Sequence, residues 1–463
     1  MSSKIRLCEP CRRQIAGNAA EAVEAAEEAH QCVLCFGLLD SKFKEQVAQA
    51  VGTSLENLPY DAKSFILALN LPTSQTLRET VMKKCRPEFD GILASVPFKI
   101  RCIDAYLAEL SKASGLRPTL QSDLQLTIAF ENDEFNDYDF QFLAGQFPSD
   151  FVVTKKQKFS GNVPTELSKE KLQQVQGRIS SEISSKLDLK SPSRPCSFTI
   201  SFERDPVFIG GRYCKFSRSL PQSPWSAEEK DAPKEPGNSV SEKVCDILKT
   251  EFGASSSTFI ASGREDIDVR MLGEGRPFVV ELKNCRFTQQ IRGKNYLETL
   301  KKVEDLINKQ TDIKVKYLTR VTKEQSEQLT VGQEEKRKCY SAYCYSTLPL
   351  EDGAFRIATS QAPIEVIQKT PVRVLKRRAL LDRPRSVYDL QFIKVDEHHF
   401  IARLETQAGT YIKEFVHGDF GRTRPSLADL LGVDNGEVDI LQLDVEKVDQ
   451  EWPPKMAEPA SFR

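Results

Sequence analysis

Gly263-Arg264-Glu265-Asp266-Ile267-Asp268-Val269-Arg270-Met271-Leu272-Gly273 is the stretch on which the reading of this chain turns. Ile267, Val269 and Met271 alternate with Arg264, Asp266, Asp268 and Arg270, so a strand is predicted here, burying the first set and gathering the second on the opposite face. Two carboxylates and two guanidinium groups on one face admit two explanations. One is a solvated edge strand laced with ion pairs, worth little to stability. The other is a catalytic aspartate whose orientation and ionisation are fixed by arginines.

Outward from this stretch, Ser241 to Phe252 carries helical spacing through Val244, Ile247, Leu248 and Phe252. Strands are predicted at Phe278 to Leu282, Val315 to Val321, Cys339 to Tyr345, Val387 to Val395 and Phe400 to Glu405. With few helices between them, the second half is α+β around an extended mixed, largely antiparallel sheet. Residues 226–240, polar with two prolines and a glycine, have the composition of a linker. Before it, Gly210 to Trp225 interleaves Arg, Lys, Tyr, Phe and Trp, as a surface for single-stranded RNA or an ordinary surface loop would. Residues 41–116 are predicted mostly helical, as in Phe43 to Val51 and Ile103 to Leu110. Leu124 to Phe130 and Phe198 to Phe202 alternate as half-buried strands, with a small basic loop of Lys155, Lys156 and Lys158 between them.

Cys8-x-x-Cys11 is followed after twenty residues by Cys32-x-x-Cys35. Each pair makes a tight turn that aims two thiolates at one point, and two such turns close a tetrahedral shell, which fits a structural zinc ion with no open position for substrate. The Ala- and Glu-rich segment Ala19 to Ala26 between them is predicted helical. His30 could replace one thiol, although an exposed neighbouring histidine explains it as well.

The chain's 463 residues, 40% of them hydrophobic, are enough for two or three domains with cores of their own. No apolar run reaches membrane-spanning length and the N-terminus lacks a secretory signal, so no membrane partner is expected. Twelve cysteines in a chain this long suit a reducing cytosolic or nuclear compartment. A net charge of −1 speaks against indiscriminate coating of polyanions, so nucleic-acid binding must come from local patches. One lies between Lys369 and Arg385, where Lys369, Arg373, Lys376, Arg377, Arg378, Arg383 and Arg385 face one acid, Asp382.

Three motifs now carry a resemblance. Gly263-Arg264-Glu265-Asp266-x-x-Val269 resembles the Gly-Arg-Thr-Asp-x-Gly-Val signature of tRNA pseudouridine synthases; Lys338-Cys339-Tyr340-Ser341-Ala342 and Gly409-Thr410-Tyr411-Ile412-Lys413 resemble their next two segments, in the same order. The cysteine pairs, Gly210 to Trp225, Gln368 to Leu375 and Gly421 to Leu427 are similar to the archaeal and eukaryotic tRNA pseudouridine synthases of the Pus-ten family. The resemblance implies a zinc-binding module with helices (1–60), an α+β THUMP-like RNA-binding region (61–225), the linker (226–240) and a pseudouridine synthase domain (241–463). It implies tRNA as partner, modified at tRNA position 54, 55 or both, in nucleus and cytoplasm, with no cofactor for catalysis.

Carried over residue by residue, Asp266 would start the chemistry; Asp268 stands where related synthases often have glycine, which leaves open which acid is essential. Tyr340 would stack on the target base, Lys413 would pair with the catalytic carboxylate and Ile412 would line the pocket. Arg264 would hold the flipped-out nucleotide, and Arg373, with the rest of its basic run, would meet the RNA. His417 is not needed by the chemistry. The competing hypotheses are a non-catalytic RNA-binding protein in small-RNA precursor processing, and a methyltransferase or sulfur-transferase for which Gly273-x-Gly275 is the closest loop.

Overall fold

In the computed structural model of this chain, the described residues are 5–13, 23–85, 96–152, 165–224, 238–293, 295–331, 336–376 and 378–454. They form two compact units, Met1–Arg204 and Asp205–Arg463.

In the first unit the elements run β1 (Ile5–Leu7), α1 (Glu9–Arg12), β2 (Val23–Ala25), α2 (Ser41–Asn57), β3 (Ser64–Asn70), α3 (Thr73–Cys85) and α4 (Phe98–Ser114). Then come β4 (Arg117–Pro118), β5 (Leu124–Glu131), α5 (Asn136–Gln146), α6 (Lys169–Gln176), α7 (Ser181–Ser185) and β6 (Ser197–Arg204). The period-two pattern predicted at Leu124 to Phe130 is β5, whose even-numbered residues are buried. It pairs antiparallel with β6 and parallel with β3, in a four-stranded sheet of order β4-β3-β5-β6 among the described residues. The mostly helical expectation for 41–116 missed β3, whose residues are largely half-buried and show little alternation. Two other expectations change. Val23–Ala25, predicted helical with Ala19 to Ala22, pairs as a parallel strand with β1, because tertiary pairing overrides the helix preference of alanine and glutamate; positions 19–22 lie outside the described residues, as do Lys155, Lys156 and Lys158. The cysteine segment is also not a separate module: Cys8, Cys11, Cys32 and Cys35 share one apolar cluster with Phe65, Tyr106 and Ile128. Tyr106 donates to the Leu38 carbonyl at 2.9 Å and Gln75 to that of Leu34 at 2.8 Å, tying the segment to α4 and α3.

The second unit runs β7 (Val207–Lys215), α8 (Val240–Phe252), β8 (Ser256–Ala261), β9 (Arg270–Lys283), α9 (Tyr296–Ile307), β10 (Ile313–Val321), α10 (Lys323–Gln328) and β11 (Arg337–Ser346). It continues with α11 (Asp352–Ser360), β12 (Ile364–Lys369), β13 (Asp382–Lys394), β14 (His399–Gln407), α12 (Ile412–His417), β15 (Thr423–Arg424), α13 (Leu427–Leu431) and β16 (Val438–Val448). Among the described residues the strands form a ten-stranded sheet of order β10-β7-β9-β16-β11-β14-β13-β12-β15, with β8 paired to β9. The pairing is antiparallel except between β16 and β9, in keeping with the α+β, largely antiparallel prediction. Helices α8, α9 and α11 pack their apolar faces into one cluster with the sheet.

The sheet corrects the prediction for Gly210 to Trp225. Val207–Lys215 is a strand between β9 and β10, buried at every position, so Arg212, Tyr213 and Lys215 are interior groups rather than an RNA-facing or loop surface. This also moves the segment out of the 61–225 region and into the second unit. Gly211 is needed because a Cβ there would stand 2.8 Å from Leu318 and 3.1 Å from the Lys316 carbonyl. Most of the proposed linker, residues 226–237, lies outside the described residues, and α8 already begins at Val240.

Candidate active site

The opening stretch is not a strand up to Val269. It is the loop between β8 and β9, and its alternation breaks because Glu265 turns inward. The Glu265 carboxylate accepts from Tyr213 Oη at 2.9 and 3.0 Å and from Arg276 Nε at 2.7 Å, with both members of the ion pair buried. Arg276 donates onward to the Ser262 carbonyl at 2.9 Å, and Gln222 bridges Tyr213 Oη at 2.6 Å and the Gly263 carbonyl at 3.0 Å. Burial works against the Arg276 charge, but Glu265 and Tyr213 hold its pKa above the ordinary arginine value.

A turn follows, closed by Val269 N donating to the Asp266 carbonyl at 3.1 Å. Beneath it the Lys215 ammonium donates to the carbonyls of Asp266 (3.1 Å), Ile267 (2.8 Å) and Leu220 (2.8 Å), matching its three protons to three acceptors. With the backbone pinned from below, the Asp266 and Asp268 side chains project outward.

Above the loop, Asp266 Oδ2 lies 3.2 Å from Arg373 Nη1 and 3.4 Å from Lys413 Nζ. Lys413 donates to both oxygens of Asp268, at 2.9 and 2.7 Å, so it is shared by the two acids and sits closer to Asp268. Partial burial opposes ionisation of Asp268, but Lys413 outweighs it and holds the carboxyl below its ordinary value. Arg373 comes from the short 3-10 helix Val372–Val374 and also pairs with buried Glu414 at 2.7 Å. Lys413 lies in the first turn of α12, which is braced by the buried Gln368: its amide accepts from Tyr411 N at 2.8 Å and donates to Tyr411 O at 2.9 Å. On the far side, Asp444 of β16 receives Arg218 and Arg270, and Arg218 also donates to the Asp268 carbonyl at 3.0 Å.

The remaining predicted residues fall as follows. Arg264 is exposed at the head of the loop. Lys338 and Tyr340 share one face of β11, and the Lys338 ammonium reaches the loop: a Cβ on Gly263 would lie 3.2 Å from it and 3.0 Å from Arg276 Nη1. Burial, with repulsion from Arg276, lowers Lys338 to about 8, and burial pushes Tyr340 up to about 12 although Arg276 works against it. Ile412 belongs to the apolar core with Phe415 and Leu427. His417 accepts from Asp419 N at 3.1 Å, a local structural bond. Arg373, read as part of an RNA-facing run, points instead at Asp266 and Glu414.

Glu265, Arg276, Tyr213, Gln222 and Lys215 were missed as site residues. Their partners are 11, 52 and 51 positions apart in sequence for Glu265–Arg276, Glu265–Tyr213 and Lys215–Asp266, which no local pattern records.

In the first unit the four cysteines bring their sulfurs within 4.8 Å of one another, all buried, with Cys8 and Cys35 3.5 Å apart. Bonds of about 2.3 Å to a central ion put tetrahedral sulfurs about 3.8 Å apart, so the group could hold a metal ion and would leave no open coordination position. His30 pairs with Glu28 at 3.1 Å instead of joining it.

Residues 208–449 match the family model described as "Pus10, C-terminal". The chain belongs to the Pus10 family. It is 34% identical over 447 residues to the tRNA pseudouridine synthase Pus10 of Xenopus laevis, covering 94% of this chain and 83% of that one. It is 33% identical over 437 residues to that of Homo sapiens (92% and 79%), and 37% identical over 245 residues to that of Pyrococcus furiosus (51% and 57%). This Pus10-family chain is thus an enzyme of the isomerase class, and the loop carrying Asp266 lies inside the matched segment.

Proposed function

We propose that this chain converts uridine to pseudouridine in the T-loop of tRNA, at position 54, 55 or both, with Asp266 as the group that starts the chemistry. The observation that carries this is the outward carboxylate of Asp266, held between Arg373 and Lys413 on a loop whose backbone is fixed from below by Lys215. A site that binds RNA without chemistry has no use for a pinned carboxylate, which repels phosphate.

The reaction breaks the glycosidic bond, turns the uracil and rejoins it through carbon five, with no net redox change. Asp266 acts on the flipped-out nucleotide, and Arg373 and Lys413 hold its charge and direction. Tyr340, on the same face of β11 as Lys338, contributes the face against the base. Arg264, exposed at the head of the loop, fills the gap left in the stack. Lys369, Lys376 and Arg378, exposed along the basic run, meet phosphates and make affinity salt-dependent. The first unit serves as the THUMP-like RNA-binding part, with zinc on Cys8, Cys11, Cys32 and Cys35 as a structural clip.

The test is an unmodified tRNA transcript incubated with wild type, Asp266→Ala and Asp268→Ala, followed by chemical mapping of pseudouridine. Loss of product only in Asp266→Ala is expected. Full activity in Asp266→Ala refutes the assignment, and an inactive wild type refutes the function.

A further inference from the structure

Directly after α12, the chain passes through four successive left-handed residues: Gly418 (φ +79°), Asp419 (+46°), Phe420 (+56°) and Gly421 (+82°). Glycine accepts this backbone freely, whereas a β-unbranched aromatic is strained in it and is seldom found there. The strain is held by specific bonds. Asp419 is buried, its carboxylate accepts from Val372 N at 3.1 Å and lies 3.6 Å from Arg422 Nε, and its own N–H donates to His417 Nδ1 at 3.1 Å. At Gly418 a Cβ would stand 2.7 Å from Asn435 Oδ1.

What this rigid loop presents is the ring of Phe420, 93% exposed. Packing does not explain a large ring placed in water on a strained, braced turn. Its surroundings do bear on it. Val372, which braces Asp419, directly precedes Arg373, the partner of Asp266, so the ring is held in fixed relation to the reacting carboxylate. Arg422, two positions on from Phe420, lines a cavity of about 560 Å³ together with Lys369, Thr370, Leu375, Leu381 and Asp382. Lys369, Lys376 and Arg378 are exposed around the same segment. A rigid exposed ring on a turn that leads, through Arg422, into a cavity lined by cations is a combination that takes an unpaired nucleotide: the ring stacks on the base while the cations meet phosphate.

We propose that Phe420 is a base-stacking contact for an unpaired nucleobase of the RNA substrate, distinct from the nucleotide that is isomerised. This deepens the proposed function and rests on its RNA substrate. Stacking is insensitive to salt, whereas phosphate contacts are not, and that separates the two roles.

The experiment measures the Kd of the full chain for an unmodified tRNA transcript across a salt series, for wild type, Phe420→Ala, Phe420→Trp, Phe420→Asn and Lys369→Ala. Phe420→Ala and Phe420→Asn are expected to weaken binding roughly 5- to 150-fold with the salt slope unchanged. Phe420→Trp restores affinity, and Lys369→Ala reduces the slope. Phe420→Asn, better suited to the left-handed backbone, is expected to melt no lower than wild type, which excludes misfolding as the cause. Affinity of Phe420→Ala within twofold of wild type overturns the proposal and leaves the ring to a protein partner; so does a loss that tryptophan fails to rescue. A wild type that binds RNA through Phe420 but forms no pseudouridine overturns the proposed function alone, whereas an active wild type indifferent to Phe420 overturns this inference alone.

Discussion

Replacing Glu265 by glutamine keeps the side chain's size and one carbonyl oxygen to accept from Tyr213 and Arg276, while it removes the charge and turns the second acceptor oxygen into an NH2 donor. Glu265 and Arg276 are both buried, at 0% and 2% side-chain exposure. Lys338 is the second cation at this spot, within 3.2 Å of the same point beside Gly263 that Arg276 approaches to 3.0 Å. The variant therefore leaves two neighbouring cations with no counter-charge. Removing one partner of a buried pair costs about 3–5 kcal/mol, which for a unit of this size lowers the melting temperature by roughly 6–20 °C. Urea unfolding and calorimetry of the full chain measure it. The double variant Glu265→Gln/Arg276→Met is expected to recover most of the loss, since it removes the stranded charge. A single variant within about 1 kcal/mol of wild type would falsify the claim that this pair is the buttress of the loop, as would a double variant no better than the single.

Three further outcomes are expected. Gly263→Ala forces a side chain onto a backbone at φ +86° and against Arg276 and Lys338; a loss of about 1–3 kcal/mol in denaturant unfolding, with kcat reduced, is expected. Burial lowers Lys215 from 10.5 to about 8. Between those values the unfolded chain binds more protons, so this residue's share of stability rises with pH, while the folded loop loses one of the three donors that pin it. kcat/KM should therefore fall through about pH 8 with no matching fall in melting temperature, and Lys215→Met should lose that limb and start from a lower rate. Elemental mass spectrometry should find one zinc per chain in wild type and much less in Cys11→Ser, with the first unit melting earlier; a metal-free wild type with an intact first unit argues against the clip.

Much of this was legible in the sequence where a local rule governs. β5, β11 and β14 follow period-two alternation because one face of each strand is apolar core, and the cysteine knuckles follow from their spacing alone. β7 was illegible for a physical reason. A strand buried on both faces is ordinarily apolar, but Arg212 and Lys215 are tolerated inside because backbone carbonyls receive their protons, Arg212 reaching those of Glu274, Gly275, Val448 and Gln450. Glu265 was hidden in the same way: beside Arg264 and Asp266 it looks like one more surface charge, and only the fold brings Tyr213 and Arg276 to it. The motifs pointed to Asp266, Tyr340 and Lys413, but not to Lys413 lying closer to Asp268, nor to Arg373 turning from the RNA side toward Asp266.

The position of β16 bears on when the enzyme can exist during synthesis. Val438–Val448 is threaded between β9 and β11, and through Asp444 it fixes Arg270 and Arg218 beside the Asp266 loop. A nascent chain that has made every strand before it holds two half-sheets, one open along β11 and one open only at the start of β9, beyond the part that β8 covers. Closure of this sheet thus waits for β16 to leave the ribosome.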